Sequence, residues 1–174
     1  PPPTAHRPPP TAPAQPHRAR ARPQVRKCNL DERMRNLYDS SVDFWQALLT
    51  AIESALSECD QDKEKHLYRL YWGAHQSFFK QLLNSIKATF AIREAEEALA
   101  NGMCVVIGLI STGEARATEA AEREAREGRE LDGEVSTPHE IARDLLERHF
   151  PAGNGPQAAA DRARLQEQLA AIKL

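Results

Sequence analysis

Apolar residues recur at steps of three and four along two long stretches of the chain, and a short polar stretch separates them. Residues 31–57 carry one apolar stripe, the spacing that a helix with a single buried face produces. Residues 64–100 carry two adjoining stripes, a width typical of a helix packed between two neighbours. Because the polar stretch 57–63 is only long enough for a turn, the sequence predicts a long antiparallel helical hairpin over residues 29–100.

Capping signals mark both ends of this hairpin. Asn29 followed by Glu32 is a helix-start signal, because each side chain can bond a free backbone N–H of the first turn. Asn101 and Gly102 end the second helix, since glycine adopts the left-handed conformation of a C-cap without steric cost. Thr137, followed by proline and then by glutamate at N3, predicts the start of a later helix.

A short β-branched run follows the hairpin. The run MCVVIGLI occupies residues 103–110 between two glycine-containing turns, which is typical of a strand buried on both faces of a parallel sheet. Ser111 and Glu114 form a capping box that opens the next helix. The sequence therefore predicts a helix–strand–helix unit over residues 101–151, and then a loop and a C-terminal helix over residues 152–174.

Composition separates the first residues from the rest. Of the chain's 174 residues 12 are proline, and nine of these lie in residues 1–27 together with six Arg or Lys and no acidic residue. Proline fixes φ and removes a backbone donor, so residues 1–28 are predicted to be a disordered Pro/Arg-rich arm. Such an arm is a solvated linker, a nucleic-acid-binding arm or a ligand for SH3 or WW domains. The formal net charge of the whole chain is −2, so the remainder is acidic.

The same composition argues against several classes of protein. No apolar run reaches the roughly 18 residues that a membrane-spanning helix needs. The three cysteines stand far apart without a CxxC spacing, and no histidine pair has the i,i+4 spacing of a helical metal site. Neither a disulfide scaffold, a metal site nor a membrane partner is predicted, and no cofactor is assigned to this chain itself.

The turn after the predicted strand has the spacing of a phosphate-binding loop. Gly108 and Gly113 stand as far apart as the two glycines of a Walker A motif. That motif continues with a lysine for the phosphates and a Ser or Thr for magnesium, whereas this chain continues with Glu114 and Ala115. A carboxylate at the lysine position repels phosphate, so the chain is predicted to lack a self-contained ATP site and to be inactive as an ATPase on its own.

Aromatic residues are concentrated on the second helix. Their helical spacing favours core packing over a base-stacking platform for nucleic acid, because most such stripes are buried. The two long helices are therefore predicted to pack through the faces of Trp45 and Phe78/Phe79. This aromatic group consists of Tyr68, Tyr71, Trp72, Phe78 and Phe79.

Three blocks of sequence carry a family resemblance: LYRLYWGAHQSFFKQL at 67–82, NGMCVVIGLISTGEARATEA at 101–120 and VSTPHEIARDLLERHFP at 135–151. They resemble, in order and spacing, the strawberry notch family of large, nuclear, helicase-like NTPases of superfamily 2. The family pattern W-x-A-H-Q-x-F-F-K is matched in the first block, and G-K-C-V-V-I-G-L-Q-S-T-G-E-A-R in most positions of the second. Met103 stands in place of its lysine and Ile110 in place of its glutamine.

This resemblance implies a fragment that covers the inter-domain helices and the start of the second RecA-like, or helicase C, domain. It implies ATP and magnesium for the full-length family only. It also implies nuclear localisation, transcription and chromatin proteins as partners, and DNA contact in the full-length protein. The positions that it singles out as site candidates are Trp72, His75, Gln76, Phe79, Ser111, Thr112, Gly113, Glu114 and Arg116.

The sequence thus predicts a mostly α-helical fold with one short buried β-strand, in which the hairpin leads into a partial RecA-like α/β unit. The leading functional interpretation is a fragment of a nuclear, helicase-related ATPase that regulates transcription and chromatin. The alternative is a non-enzymatic helical adaptor that binds protein partners through apolar helix faces. A Walker A motif encoded upstream favours the first interpretation, and an in-frame start codon directly before Pro1 favours the second.

Overall fold

The described residues are arranged as a helical hairpin with two shorter helices packed against it. This computed structural model describes residues 24–56, 61–108, 118, 122, 126, 136–150 and 156–172. A π-helical turn, Leu145–His149, continues the third helix. The helices of the described part are α1 (Glu32–Leu56), α2 (Gln61–Ala100), α3 (Thr137–Asp144) and α4 (Pro156–Ala171).

Ring contacts between α1 and α2 show that the two helices run antiparallel. Near the start of α1, the ring centroids of Tyr38 and Phe79 lie 5.3 Å apart. Further along α1, Trp45 meets residues that come earlier in α2, and its centroid lies 5.4 Å from those of both Tyr71 and Phe78. The predicted antiparallel packing of the hairpin through the Trp45 and Phe78/Phe79 faces is therefore confirmed.

The ends of the hairpin helices follow from local hydrogen bonding. The Asp31 carboxylate accepts a bond from the backbone N–H of Met34 at 2.7 Å, so Asp31 caps α1 in place of the predicted Asn29. Acidic residues Asp62 and Glu64 occupy the first turn of α2, where the helix dipole favours negative charge. This helix begins at residue 61, earlier than the sequence predicts.

Gly102 ends α2 as the sequence predicts. Its φ of 74° lies in the left-handed region that glycine adopts freely. The N–H of Gly102 donates to the carbonyl of Leu99 at 2.9 Å, and the N–H of Met103 donates to that of Ala98 at 3.0 Å. This pair of bonds is the Schellman pattern, which satisfies the last carbonyl groups of the helix and turns the chain away from its axis.

The two shorter helices cover one side of the hairpin, α3 against α2 and α4 against α1. The Ser136 hydroxyl accepts a bond from the backbone N–H of His139, so Ser136 is the N-cap of α3 and the predicted Thr137 is its first helical residue. On α4, Leu165 and Leu169 are 0% and 3% exposed. All four helices therefore contribute to one apolar core.

The prediction of a buried β-strand is wrong. Residues 103–108 form no strand, and the side chains of Met103, Val106 and Ile107 are 55%, 95% and 51% exposed. A strand needs a neighbour to bond its backbone groups, and the described part of the chain supplies none. The described part is therefore helical rather than a partial RecA-like α/β unit; residues 109–110 of the run lie outside it.

The last residues of the predicted N-terminal arm contact α2. The Arg26 guanidinium lies 3.4 Å from the Glu94 carboxylate in an exposed ion pair, and Cys28 and Leu30 are partly buried against the core. This segment therefore extends along α2 beyond the start of α1. None of the helices in the described part has the length and apolarity to cross a membrane.

Candidate functional site

An aromatic cluster fills the middle of the hairpin. At its centre Trp45 is 1% exposed, and its ring lies steeply edge-on to four others, with centroid distances between 5.3 and 5.8 Å. Such contacts bring the positive edge of one ring against the negative face of another, which adds to the free energy of burial. The aromatic cluster consists of Tyr38, Phe44, Trp45, Tyr71, Trp72, His75, Phe78 and Phe79.

Tyr71 ties the two long helices together with a hydrogen bond. Its hydroxyl donates to the backbone carbonyl of Trp45 at 2.9 Å, and the bond is buried. Burial, and then the carboxylate of Glu53, raise the pKa of Tyr71 to about 12. The hydroxyl therefore keeps its proton at neutral pH and acts as a donor that fixes the register of α2 against α1.

His75 is packed as one of the rings of the aromatic cluster. Its centroid lies 4.8 Å from that of Phe79, 5.3 Å from Trp45, 5.4 Å from Trp72 and 5.9 Å from Tyr71. Burial lowers the pKa of His75 below its ordinary value, because aromatic neighbours solvate an imidazolium less well than water does. The side chain is therefore a neutral packing histidine at neutral pH.

The four helical candidates of the sequence lie along one side of α2. Trp72 is 47% exposed, and its ring is held edge-on by Tyr71 and His75 at 5.1 and 5.4 Å. Gln76 is exposed, whereas His75 and Phe79 are half-buried. The structure therefore brings these four residues together on one surface. The remaining candidates lie outside the described residues: Ser111, Thr112, Gly113, Glu114 and Arg116.

The sequence did not predict the environment of two residues next to this surface. Val42 belongs to the apolar stripe of α1 that was expected to be buried, yet it is 38% exposed. Glu53 reads as an ordinary solvated acid, yet it acts electrostatically on both Tyr68 and Tyr71 across the hairpin. The sequence signal for the exposure of Val42 is its position at the edge of the apolar stripe, three residues before Trp45. No local sequence signal indicates the effect of Glu53 on the two tyrosines.

A cleft of about 380 Å³ lies beside the contact between α2 and α3. Gly73 lines the cleft, and a Cβ added there would meet no atom within 4 Å, so the cleft is open at this point. A glycine in mid-helix is the sequence signal at this position. Apolar side chains from both helices line the cleft together with polar ones: Arg69, Leu70, Ala74, Ser77, Ile141, Asp144, Leu145 and His149.

Metal-ligating side chains are not clustered in the described part of the chain. Within it, no three His, Cys, Asp or Glu side chains are grouped to hold a metal ion. Gly108 is exposed, and the rest of the Walker-like spacing, with Gly113 and Glu114, lies outside the described residues.

Comparison with curated proteins establishes the family. The chain is 36% identical to Protein FORGETTER 1 of Arabidopsis thaliana over 145 residues, which is 82% of this chain and 11% of that protein. It is 39% identical to strawberry notch homolog 1 of Gallus gallus over 125 residues, 71% of this chain and 10% of that protein. The chain belongs to the strawberry notch family. The resemblance noted in the three sequence blocks is thus confirmed.

Other strawberry notch relatives agree with this assignment. Protein strawberry notch of Drosophila melanogaster is 38% identical over 130 residues, 74% of this chain and 8% of that protein. The chain therefore spans about a tenth of the length of the curated relatives it matches, and belongs to a helicase-related family. No family profile matches the chain, and no solved structure matches it.

Acidification is expected to weaken the hairpin through His75. The unfolded chain takes up a proton near the ordinary histidine pKa of about 6.5, whereas the folded chain does so only at lower pH. The stability that neutral His75 contributes is therefore fully present above about pH 6.5. It is lost as the pH falls through the pKa that His75 has in the folded chain. Urea midpoints measured between about pH 7.5 and about pH 5 are expected to fall less in His75→Gln than in the parent chain.

A matched control separates this effect from general acid destabilisation. His66→Gln changes an exposed histidine on the same helix and is the matched control for the substitution itself. Part of the dependence of stability on pH is expected to remain in His75→Gln, because burial also lowers the pKa of His139. Identical profiles for His75→Gln and the parent chain would show that His75 does not contribute.

Proposed function

We propose that this chain serves a nuclear, helicase-related regulator of transcription and chromatin as a helical segment that holds no ATP of its own. Membership of the strawberry notch family, at 36–39% identity to three relatives, carries the proposal. ATP and magnesium are then bound elsewhere in a longer protein, and transcription and chromatin proteins are the expected partners. DNA contact likewise belongs to the longer protein.

Two features of the chain support a segment without its own ATP site. Phosphoryl transfer requires a lysine and a backbone cradle for the phosphates, an acidic ligand for magnesium and an arginine that stabilises charge. The sequence has two Gly-x4-Gly spacings, and each continues with a glutamate at the lysine position, Glu114 after Gly113 and Glu134 after Gly133. The family-motif residues of α2 are engaged in ring packing instead, since His75 and Phe79 belong to the aromatic cluster.

The purified 174-residue chain is expected neither to bind nor to hydrolyse Mg-ATP. Fluorescence anisotropy of a labelled ATP, and release of inorganic phosphate with and without magnesium, measure the two properties. Magnesium-dependent phosphate release that is abolished by Glu114→Gln or Arg116→Ala would contradict the absence of a site.

In cells, a fluorescent fusion of the chain's full-length parent is expected in the nucleus on chromatin. Exclusion of the fusion from the nucleus would contradict the regulatory role.

A helical adaptor that binds proteins through apolar helix faces is the second candidate. The half-exposed Trp72 favours it, because a large aromatic side chain at a surface is a frequent anchor of protein interfaces. The two proposals differ in the parent protein: the regulator is an ATPase elsewhere along its length, and the adaptor is not. ATPase activity of the full-length parent therefore decides between them.

A further inference from the structure

Residues 26–31 lie beside α2 before the chain enters α1, and we call this segment the strap. Its base is fixed, because the Asp31 carboxylate accepts a hydrogen bond from the backbone N–H of Met34 at 2.7 Å and so caps α1. At its other end, the Arg26 guanidinium lies 3.4 Å from the Glu94 carboxylate of α2. The strap is therefore attached at both ends.

The middle of the strap is packed loosely. The side chains of Cys28 and Leu30 are only partly buried against the core, and a cavity of about 480 Å³ lies among the strap, the start of α1 and α2. Side chains that line a cavity lack protein neighbours on that side and forfeit part of their van der Waals contacts. Packing therefore contributes little to the attachment of the strap. The cavity is lined by Cys28, Asn29, Leu30, Asp31, Met34, Ile86, Thr89, Phe90 and Arg93.

Charge attracts the strap to α2 through one ion pair rather than through a broad field. Two cations and one acid give the strap a formal charge of +1, and two cations and three acids give residues 86–97 of α2 a charge of −1. Of the cations on α2, Arg93 lies over the Phe90 ring, 5.8 Å from its centroid. The side chains of Arg26 and Glu94 are 65% and 39% exposed, so salt screens their attraction. The charged residues concerned are Arg26, Lys27 and Asp31 of the strap and Lys87, Arg93, Glu94, Glu96 and Glu97 of α2.

We infer that the strap opens from α2 in a local conformational change, with Asp31 as its fixed end and the Arg26–Glu94 ion pair as the salt-sensitive contact that closes it. Local openings of this kind occur where few apolar contacts hold a segment. Opening frees Arg26 from its carboxylate and uncovers the side of α2 that carries Ile86 and Phe90. The ionic strength of the solution therefore sets how much of this side is accessible. The inference concerns the described residues alone and does not depend on the nuclear role proposed above.

The thiol of Cys28 reports the opening, because the closed strap keeps it partly buried. In a chain that carries Cys59→Ser and Cys104→Ser it is the single cysteine. Its rate of alkylation by iodoacetamide is divided by the rate in the urea-unfolded chain at the same salt concentration. Screening lengths of roughly 30 Å at about 0.01 M salt and roughly 3 Å at about 1 M leave the ion pair intact and screened, respectively. Between these concentrations the normalised rate is expected to rise about two- to fivefold, which is what one exposed ion pair supplies.

Two variants of α2 separate the ion pair from general effects of charge. Glu94→Gln is expected to raise the normalised rate at low salt by about two- to fivefold and to remove its dependence on salt. Glu96→Gln is the matched control, since it removes the same charge from the same helix about 200° away around the axis. This control is expected to keep the salt dependence of the parent chain. Equal normalised rates in Glu94→Gln and Glu96→Gln overturn the inference.

Urea denaturation distinguishes local opening from global unfolding. The two glutamine variants and their parent are expected to share one urea midpoint, because both substitutions lie on the part of α2 outside the aromatic cluster. Alkylation of Cys28 is then expected to remain faster than global unfolding allows. A rate of alkylation that follows the free energy of global unfolding in every variant overturns the inference.

Discussion

Replacing Trp45 with alanine is expected to lower the free energy of unfolding by about 3–5 kcal/mol, the usual range for removing a large aromatic side chain from a core. Trp45 is 1% exposed and contacts rings from both long helices, including Phe44 and Phe78. Its removal leaves a cavity that neighbours on two rigid helices cannot close. Urea denaturation followed by circular dichroism measures the loss.

The chain contains its own control for this experiment. Its two tryptophans differ in burial, since Trp72 is 47% exposed and Trp45 is 1% exposed. Trp72→Ala removes the same side chain with less buried contact area, so it is expected to cost clearly less than Trp45→Ala. Equal losses for the two variants would show that Trp45 is not the centre of the core.

Phe78→Ala is expected to have the next largest effect, again about 3–5 kcal/mol. Phe78 is 0% exposed and packs against Trp45 with centroids 5.4 Å apart. The adjacent Phe79 is half-buried, so Phe79→Ala is expected to lose less. Chemical denaturation of both variants at one pH checks the order, and a larger loss in Phe79→Ala would contradict the packing described for α2.

Helices and core residues were predictable because their signals are periodic and local. The stripes on α1 and α2 gave the hairpin, and Tyr71 and Phe78 proved to be core residues as their spacing predicts. Helix starts were displaced because several capping residues compete within a few positions: Asp31 caps α1 rather than Asn29, and Ser136 precedes Thr137. Such displacements depend on small differences between adjacent capping geometries.

The absence of the strand and the exposure of Trp72 could not be read from local sequence. A β-branched run such as residues 103–108 becomes a strand only when another strand bonds to it, which is information about neighbours rather than about the run. Likewise, the spacing of Trp72 resembles that of its buried neighbours, and only the placement of α3 and α4 on the other side of the hairpin leaves it exposed.

The difference in length between the two hairpin helices has a mechanical consequence. α1 has 25 residues and α2 has 40, so α2 is about 60 Å long and extends about 22 Å further than α1 at 1.5 Å per residue. Ile92 and Leu99, near its far end, are more than half exposed. A rigid rod held at one point amplifies small rotations: a tilt of about 5° at the aromatic cluster, about 40 Å from Gly102, displaces Gly102 by about 3.5 Å. The helix therefore converts ångström-scale repacking of the core into a displacement of the chain that follows it.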